Sequence, residues 1–334
     1  MKNIYYIKED KAAVQDYYAD IIARGIEITV GCPKYKCISI NETNKIDKDS
    51  IIISISHYIT FRLCLKGFKN IVYWVQGSSP DESFMRNHSY LRKFFISCIE
   101  FFALEKAKFV FMVSQGMLKH YKRKYHKDYS YKTYIMPCYN SELQMNLFNT
   151  PAKYENNTFC YVGGLSVWQC FPETVELYKK LEDKIPNAKF KVLTGDGEKA
   201  KSIIDSYGIK NYEIKYVKPN QLVNELASCK YGFIVRAKSP VNYVATPTKL
   251  SNYMAAGLIP IVSNTVSFFE EILGKSKYAV VLDGNNDIKR IIDMANENIS
   301  SEDIYNEYNN LFNKFYCNET HIKNIVSRLK KVLL

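Results

Sequence analysis

Several signatures are missing from this chain of 334 residues, and each absence removes a class of function. No GxGxxG follows the first strand of either half and no GxxxxGKS/T occurs, which disfavours dinucleotide binding and P-loop phosphoryl transfer. The nine cysteines show no paired CxxC spacing for zinc, and their odd number argues against a full disulfide framework. Cys32 and Cys37, the nearest pair, have no matching pair elsewhere, so reduced thiols are expected, most of them buried in apolar runs. The start, MKNIYYIKEDK, lacks the pattern of a secretory signal. The most apolar long run, KFFISCIEFFALEKAKFVFMV, is interrupted by Glu100, Glu105, Lys106 and Lys108, too many charges for a membrane span. It reads as an amphipathic helix ending near Ala107, then a buried strand. There is no repeat of solenoid length and no motif that reads RNA or DNA, so no nucleic-acid partner is expected. A cytoplasmic protein is expected, with peripheral contact at the inner face of the membrane left open.

What is present fits a soluble globular chain: 47% hydrophobic and 24% charged residues, with length for two ordinary domains. The net charge is +12, and residues 1 to 150 carry 22 Lys and Arg against 14 Asp and Glu. Part of the excess lies in KHYKRKYHKDYSYK, residues 119 to 132. Such a surface attracts anionic lipid or a phosphorylated substrate, or it is simply a solvated helix face.

Strand-like runs alternate with helical patterns almost throughout. In the first half the runs are NIYYI (3–7), IEITV (26–30), SIIISIS (50–56), NIVYWVQ (70–76), KFVFMVS (108–114) and KTYIMPC (132–138). The helical pattern KAAVQDYYADIIARG is expected to end at Gly25. After a polar stretch at residues 139–157 the rhythm restarts with TFCYVGG, KFKVLTGDG, NYEIKYV, YGFIVR, IPIVS and YAVVL, and the chain ends in three helical segments. The fold class is therefore α/β, with two facing Rossmann-like domains. The expected division is 1–145, 146–315 and a terminal helix over 316–334. Ligands of such sheets sit beyond the carboxyl ends of the strands, so the residues just after each strand matter most.

After TFCYV comes the pair Gly163-Gly164, which lets backbone approach a phosphate or merely makes a tight turn. After YGFIV comes Arg236, where an unpaired guanidinium is costly; a diphosphate or a neighbouring carboxylate would satisfy it. ATPTKLSNYMAAGLIPIVS reads as a helix with Thr246 as cap, Pro247 in the first helical position and Gly257 ending it left-handed. Lys249 then stands in the first turn, where the helix dipole disfavours a cation unless an anion binds there; a solvated side chain is the other reading. In the first half NIVYWVQ runs into Gly77-Ser78-Ser79-Pro80-Asp81-Glu82-Ser83. Asp81 or Glu82 is a candidate base, although Pro-Asp-Glu also spells an ordinary helix start. Ser114 after KFVFMV is either a phosphate or acceptor contact or the cap of the next helix, and capping alone explains it.

With these residues in hand, the chain resembles the nucleotide-sugar glycosyltransferases of the two-Rossmann-domain architecture called GT-B, most closely family 4. The resemblance rests on YVGGLSVWQ, LTGDGE, VRAKSPVNYVATPTKLSNYMAAGLIPIVS, VYWVQGSSPDES, IEFFALEKAKFVFMVS and IMPCYN. It implies a donor-binding second domain, an acceptor-binding first domain and a last helix returning to the first. The donor site would use Gly163, Gly164, Arg236, Thr246, Pro247, Thr248 and Lys249 around the diphosphate, Asn252 toward the ribose, Val217 and Lys218 near the base, and Gly77 near the transferred sugar. Two departures stand out. Many members carry glutamates where this chain has Val244 and Asn252, and a basic residue soon after the glycine turn where it has Trp168 and Gln169. No cofactor is expected, and no metal, since Asp47-Lys48-Asp49 precedes a strand rather than following one. The partners implied are a nucleotide-diphosphate sugar and a saccharide acceptor, lipid-linked where the product is a surface polysaccharide. A non-catalytic scaffold of the same shape and a nucleotide-sugar epimerase are the alternatives.

Overall fold

The computed structural model describes residues 3–8, 13–31 and 34–333. Cys32, and the Lys11 and Ala12 with which the first helical pattern opens, lie outside them. Two compact units emerge: Met1–Pro137 with Val244–Thr246 and Tyr316–Leu334, and Cys138–Tyr243 with Pro247–Phe315.

The first unit holds six strands: β1 (Ile4–Ile7), β2 (Lys36–Ile38), β3 (Ile51–Ser54), β4 (Ile71–Val75), β5 (Phe109–Met112) and β6 (Thr133–Ile135). They form one parallel sheet in the order β2-β1-β3-β4-β5-β6. Its first helices are α1 (Ala13–Val30), α2 (His57–Leu65), α3 (Ser79–Asn87), α4 (Tyr90–Lys106) and α5 (Gln115–Tyr125). Strands β3, β4 and β5 are buried throughout, as expected of β-branched and aromatic runs covered on both faces.

One expectation fails here. IEITV at 26–30 is not a strand; it is the last part of α1, which runs through Gly25 to Val30. Gly25 is needed for packing rather than for a stop. A Cβ there would collide with the side chain of Ile325 in the terminal helix, so the missing side chain lets the two helices touch. The second strand is instead KCI, short and mostly exposed, with too little apolar character to announce itself.

The second unit repeats the plan. Its strands are β7 (Thr158–Val162), β8 (Lys189–Leu193), β9 (Tyr212–Lys215), β10 (Tyr231–Ile234), β11 (Ile259–Ser263) and β12 (Val280–Leu282). All pair in parallel, in the order β12-β11-β10-β7-β8-β9. Between and after them run α6 (Met145–Phe148), α7 (Phe171–Glu182), α8 (Gly197–Ser206), α9 (Leu222–Leu226), α10 (Pro240–Val244), α11 (Thr248–Ala255), α12 (Ser267–Leu273), α13 (Asp287–Asn296) and α14 (Ser301–Phe315). The last helix, α15 (Asn318–Leu333), belongs to the first unit. There Tyr134 and His321 share a hydrogen bond of 2.8 Å. The chain thus has two Rossmann-like domains and a C-terminal helix.

In the second sheet the order reverses at β7, which has β8 on one side and β10 on the other. A doubly wound sheet opens its ligand crevice at such a point. The β7–β10 ladder pairs Phe159 with Tyr231 and Cys160 with Gly232 and goes no further. Beyond it the Tyr253 hydroxyl bridges the strands, accepting from the Val162 amide at 3.1 Å and donating to the Phe233 carbonyl at 3.2 Å. Gly232 makes this possible, because a Cβ there would collide with the Tyr253 ring. Tyr253 stands four residues after Lys249, on the same face of α11. Burying one residue sets the other across the reversal point.

Candidate functional site

The carboxyl ends of the second sheet share an edge. Val162 pairs with Leu193 and Leu193 with Lys215, while Ile234 pairs with Val262. The loops that follow carry Gly163-Gly164, Asp196, Tyr216-Val217 and Arg236.

Lys249 stands in the first turn of α11, which begins at Thr248. Pro247 is the cap residue, and no side chain caps the helix. Thr246, expected as cap, lies one residue further out and is buried. Its place before a proline disfavours the helical region, and Pro247 itself sits at ψ 120, so the helix starts one residue late. Gly257 does end the helix left-handed, at φ +75.

Lys249 is half-buried as a residue, but its ammonium is buried, 4.2 Å from the centre of the Tyr161 ring and without a hydrogen-bond partner. Burial, and then the nearby Arg236, push its pKa well below the usual amine value. It packs on Gly163, where φ is +115 and an added Cβ would stand 3.1 Å from the lysine Cε. Arg236 is buried too, donating to the Trp168 carbonyl at 3.0 Å and to Gln169 Oε1 at 2.6 Å. Ser263 Oγ, from the end of β11, accepts from the Arg236 amide at 2.8 Å.

Among the described residues no carboxylate pairs with Arg236 or Lys249, and the Lys249 ammonium is withdrawn from solvent. Gln169, at the position where a basic residue was expected, instead supplies the acceptor that orients Arg236. The glycine turn is held from β8: Asp196 Oδ2 accepts from the Leu165 amide at 3.1 Å and stands 3.6 Å from where a Gly164 Cβ would be.

The other expected donor residues are more dispersed. Asn252 is buried, its Oδ1 accepting from the Ser141 hydroxyl at 2.6 Å. Val217 lines a cavity of about 380 Å³ with Lys215, Tyr216, Gln221, Asn224 and Glu225, at the same sheet edge but beyond β8 from Gly163. Lys218 caps the short turn that follows and is not part of that lining.

In the first unit α3 starts with Pro-Asp-Glu as the helix-start reading expected. Asp81 is buried, with Lys93 at 2.8 Å, His120 at 3.5 Å and the Ser78 hydroxyl donating to it. Burial alone would raise its pKa, but His120, Lys93 and the Ser78 hydroxyl around it hold it well below the usual carboxylate range. Such a carboxylate ties α3 to α4 and α5 and is a poor base. Glu82 is different: burial raises its pKa, against the pull of Arg86 at 3.6 Å. Its Oε1 covers Gly77, filling the space a Cβ would take, so Gly77 serves the carboxylate rather than open space.

Glu82 lines a cavity of about 370 Å³ with His57, Tyr58, Ser79, Ser83 and Arg92 among its walls. Two wall atoms are buried and unpartnered, His57 Nε2 and Ser83 Oγ. Burial and then Lys124 lower the His57 pKa to about 4, so the ring is neutral near pH 7. Sequence reasoning did not single out His57. The signal was available, because His57 follows β3 just as Gly77 follows β4.

Of the six basic residues at 119–132, Lys119, Lys122, Arg123 and Lys127 are exposed and two are structural. Lys124 pairs with the buried Glu100 at 2.8 Å, and buried Lys132 donates to the carbonyls of Leu104, Glu105 and Ala107. Ser114 caps α5 by accepting from the Met117 amide at 3.0 Å.

Fold and site together define a protein with two doubly wound sheets and, at the reversal point of the second, two neighbouring cations whose charged ends are buried and, among the described residues, unpaired with a carboxylate. The chain belongs to the glycosyl transferases group 1, whose family model matches residues 145–314. No curated protein matches it by sequence. Among solved structures it is similar to sucrose-phosphate synthase (tll1590) from Thermosynechococcus elongatus, with TM-score 0.73 and 11% identity over 100% of this chain and 99% of that one. It is also similar to Anabaena Alr3699/HepE in complex with UDP and glucose, with TM-score 0.68 and 11% identity over 98% and 99% of the two chains. A glycosyltransferase from Rickettsia africae ESF-5 gives TM-score 0.65 and 12% identity over 99% and 98%. The fold is GT-B.

Proposed function

We propose that this chain transfers a sugar from a nucleotide-diphosphate sugar to a saccharide acceptor, with the diphosphate held by Lys249 and Arg236. The observation that carries this is the buried Lys249 ammonium, unpartnered beside Gly163 and a second buried cation. Burying it costs free energy in the empty protein, and a bound anion offsets that cost. As the glycosidic bond breaks, negative charge grows on the leaving diphosphate, where fixed cations and the start of α11 stabilise it. The route proposed relies on these cations in place of a metal.

UDP is the nucleotide to test first, since HepE was solved with UDP and glucose. The Val217 loop is assigned to the base and Asn252, held by Ser141, to the ribose. The first-unit cavity is assigned to the acceptor, with Glu82 as the group that takes the proton of the attacking hydroxyl. Its raised pKa suits proton transfer better than that of Asp81. A lipid-linked acceptor for a surface polysaccharide is the expected setting.

A thermal-shift screen against nucleotide sugars and nucleoside diphosphates tests the donor reading, because ligands of the folded state raise its melting point by mass action. A shift with at least one diphosphate, lost in Lys249→Met, supports it. No shift with any of them would point instead to a non-catalytic subunit, and conversion of donor without acceptor to an epimerase.

A further inference from the structure

Helix α4 is apolar on two sides. Its inner side carries Ile96, Ala103 and Leu104, all buried, with Glu100 neutralised among them by Lys124 at 2.8 Å. Its outer side carries Leu91, Phe94, Phe95 and Cys98, all exposed, with Leu91 at 75%, Phe94 at 62% and Phe95 at 64%. These positions are spaced i, i+3, i+4 and i+7, one continuous stripe on the helix. Tyr90, also 75% exposed, extends the stripe at its start. The neighbouring α2 packs beside α4 through the Phe61 and Phe102 rings, 5.2 Å apart, and adds exposed Leu65 and Tyr58. A helix that covers a sheet ordinarily turns polar residues outward, so this stripe is unexplained by the fold.

The charges around it have one sign. Every exposed charged side chain from residue 57 to residue 106 is a cation: Arg62, Lys69, Arg86, Arg92 and Lys106. The acids of the same stretch are withdrawn, Asp81 and Glu100 being buried and Glu82 and Glu105 half-buried. A protein partner is served by a rim of either sign, whereas an anionic bilayer selects cations.

We infer that the outer face of α2 and α4 docks the first unit onto an anionic lipid bilayer, with Leu91, Phe94 and Phe95 in the headgroup–acyl boundary and the surrounding cations on lipid phosphates. The contact is interfacial, since no described helix is long and apolar enough to cross a membrane. Tyr58 and Arg92 belong both to this face and to the wall of the Glu82 cavity. Docking therefore brings that cavity to the level at which a lipid-linked saccharide presents its sugar. This last consequence rests on the acceptor reading of the cavity; the docking itself does not.

The test is co-sedimentation of the full chain with phosphatidylcholine vesicles, with and without phosphatidylglycerol, at low and high salt. The expected result is binding only to the phosphatidylglycerol vesicles, weakened by salt. Combining Leu91→Ser, Phe94→Ser and Phe95→Ser should reduce vesicle affinity by about tenfold or more, since each removes apolar surface from the boundary. The same variant should transfer sugar to a soluble acceptor as the unmodified protein does, which shows that it folds. Arg62→Glu with Lys106→Glu should weaken binding to the same vesicles while keeping every apolar residue. Absence of binding to phosphatidylglycerol vesicles, or equal binding by the triple serine variant, would overturn the inference. So would wild-type self-association that this variant abolishes in place of vesicle binding. Failure of wild-type transfer to any acceptor would instead count against the enzymatic reading and leave the vesicle result standing.

Discussion

The aliphatic stem of Lys249 lies against the bare α-carbon side of Gly163, so close that an added Cβ would stand 3.1 Å from its Cε and 3.4 Å from its ammonium. A glycine turn and a first-turn lysine, more than eighty positions apart in the chain, form one surface. Each is weak evidence alone, since glycine makes turns and lysines sit on surfaces. Together, with Arg236 beside them and no carboxylate paired to either cation among the described residues, they are the basis of the phosphate site proposed above.

Lys249→Met should stabilise the empty protein while removing diphosphate binding. The folded pKa of this lysine lies well below the unfolded value of 10.5. The unfolded chain therefore binds more protons between the two values, and the lysine's stability contribution rises as pH increases toward 10.5 and falls as pH drops. Thermal melts of both proteins across alkaline pH should show that dependence shrinking in the variant. A wild-type protein more stable than the variant at neutral pH without ligand would contradict the buried, unpaired state.

Gly163→Ala should lose donor binding more than it loses stability. The left-handed backbone at φ +115 and the contact with Lys249 both resist a methyl group. The strain should cost about 1–3 kcal/mol, seen as a lower denaturation midpoint. UDP affinity should fall further, because the ammonium is displaced.

Tyr253→Phe removes the hydroxyl that closes the gap between β7 and β10. Two buried backbone groups, the Val162 amide and the Phe233 carbonyl, lose their partner. A loss of about 1–3 kcal/mol in urea unfolding is expected, with weaker UDP binding because α11 is no longer fixed. Unchanged unfolding would show that the bridge does not set the crevice.

His57→Gln should flatten the acid side of the stability profile. The folded pKa of about 4 lies below the ordinary value of 6.5, so the unfolded state binds more protons between them. Stability from this group is full above pH 6.5 and is lost as pH falls toward 4, by about 3 kcal/mol at most. Comparing the two proteins at each pH isolates this term from Glu82, whose raised pKa acts in the opposite sense.

Much of the architecture could be read from the chain because its strands are short, β-branched and separated by helical patterns. All six second-half strands fall where their apolar runs are. IEITV failed because β-branched residues also suit a helix whose two sides are covered, and only the contact of Gly25 with Ile325 distinguishes the cases. The positions of Arg236 and Lys249 were legible from the chain, one after a strand and one in a first helical turn. Their isolation from carboxylates was not, since it depends on which side chains meet across the sheet edge. The use of Gln169 to hold Arg236 and the gap-bridging role of Tyr253 were hidden for the same reason. Asp81 and Glu82, adjacent and chemically alike in the sequence, part company only when Lys93 and His120 arrive from other helices.

Calorimetric titration of UDP into the wild-type protein and into Lys249→Met is the most direct measurement. Losing one charge-assisted contact to phosphate removes about 1.5–3 kcal/mol, a factor of roughly ten to a hundred in affinity. The expected result is UDP binding by the wild type and at least that loss in a variant that remains folded. Equal affinity in both proteins would contradict the assignment of Lys249 to the diphosphate.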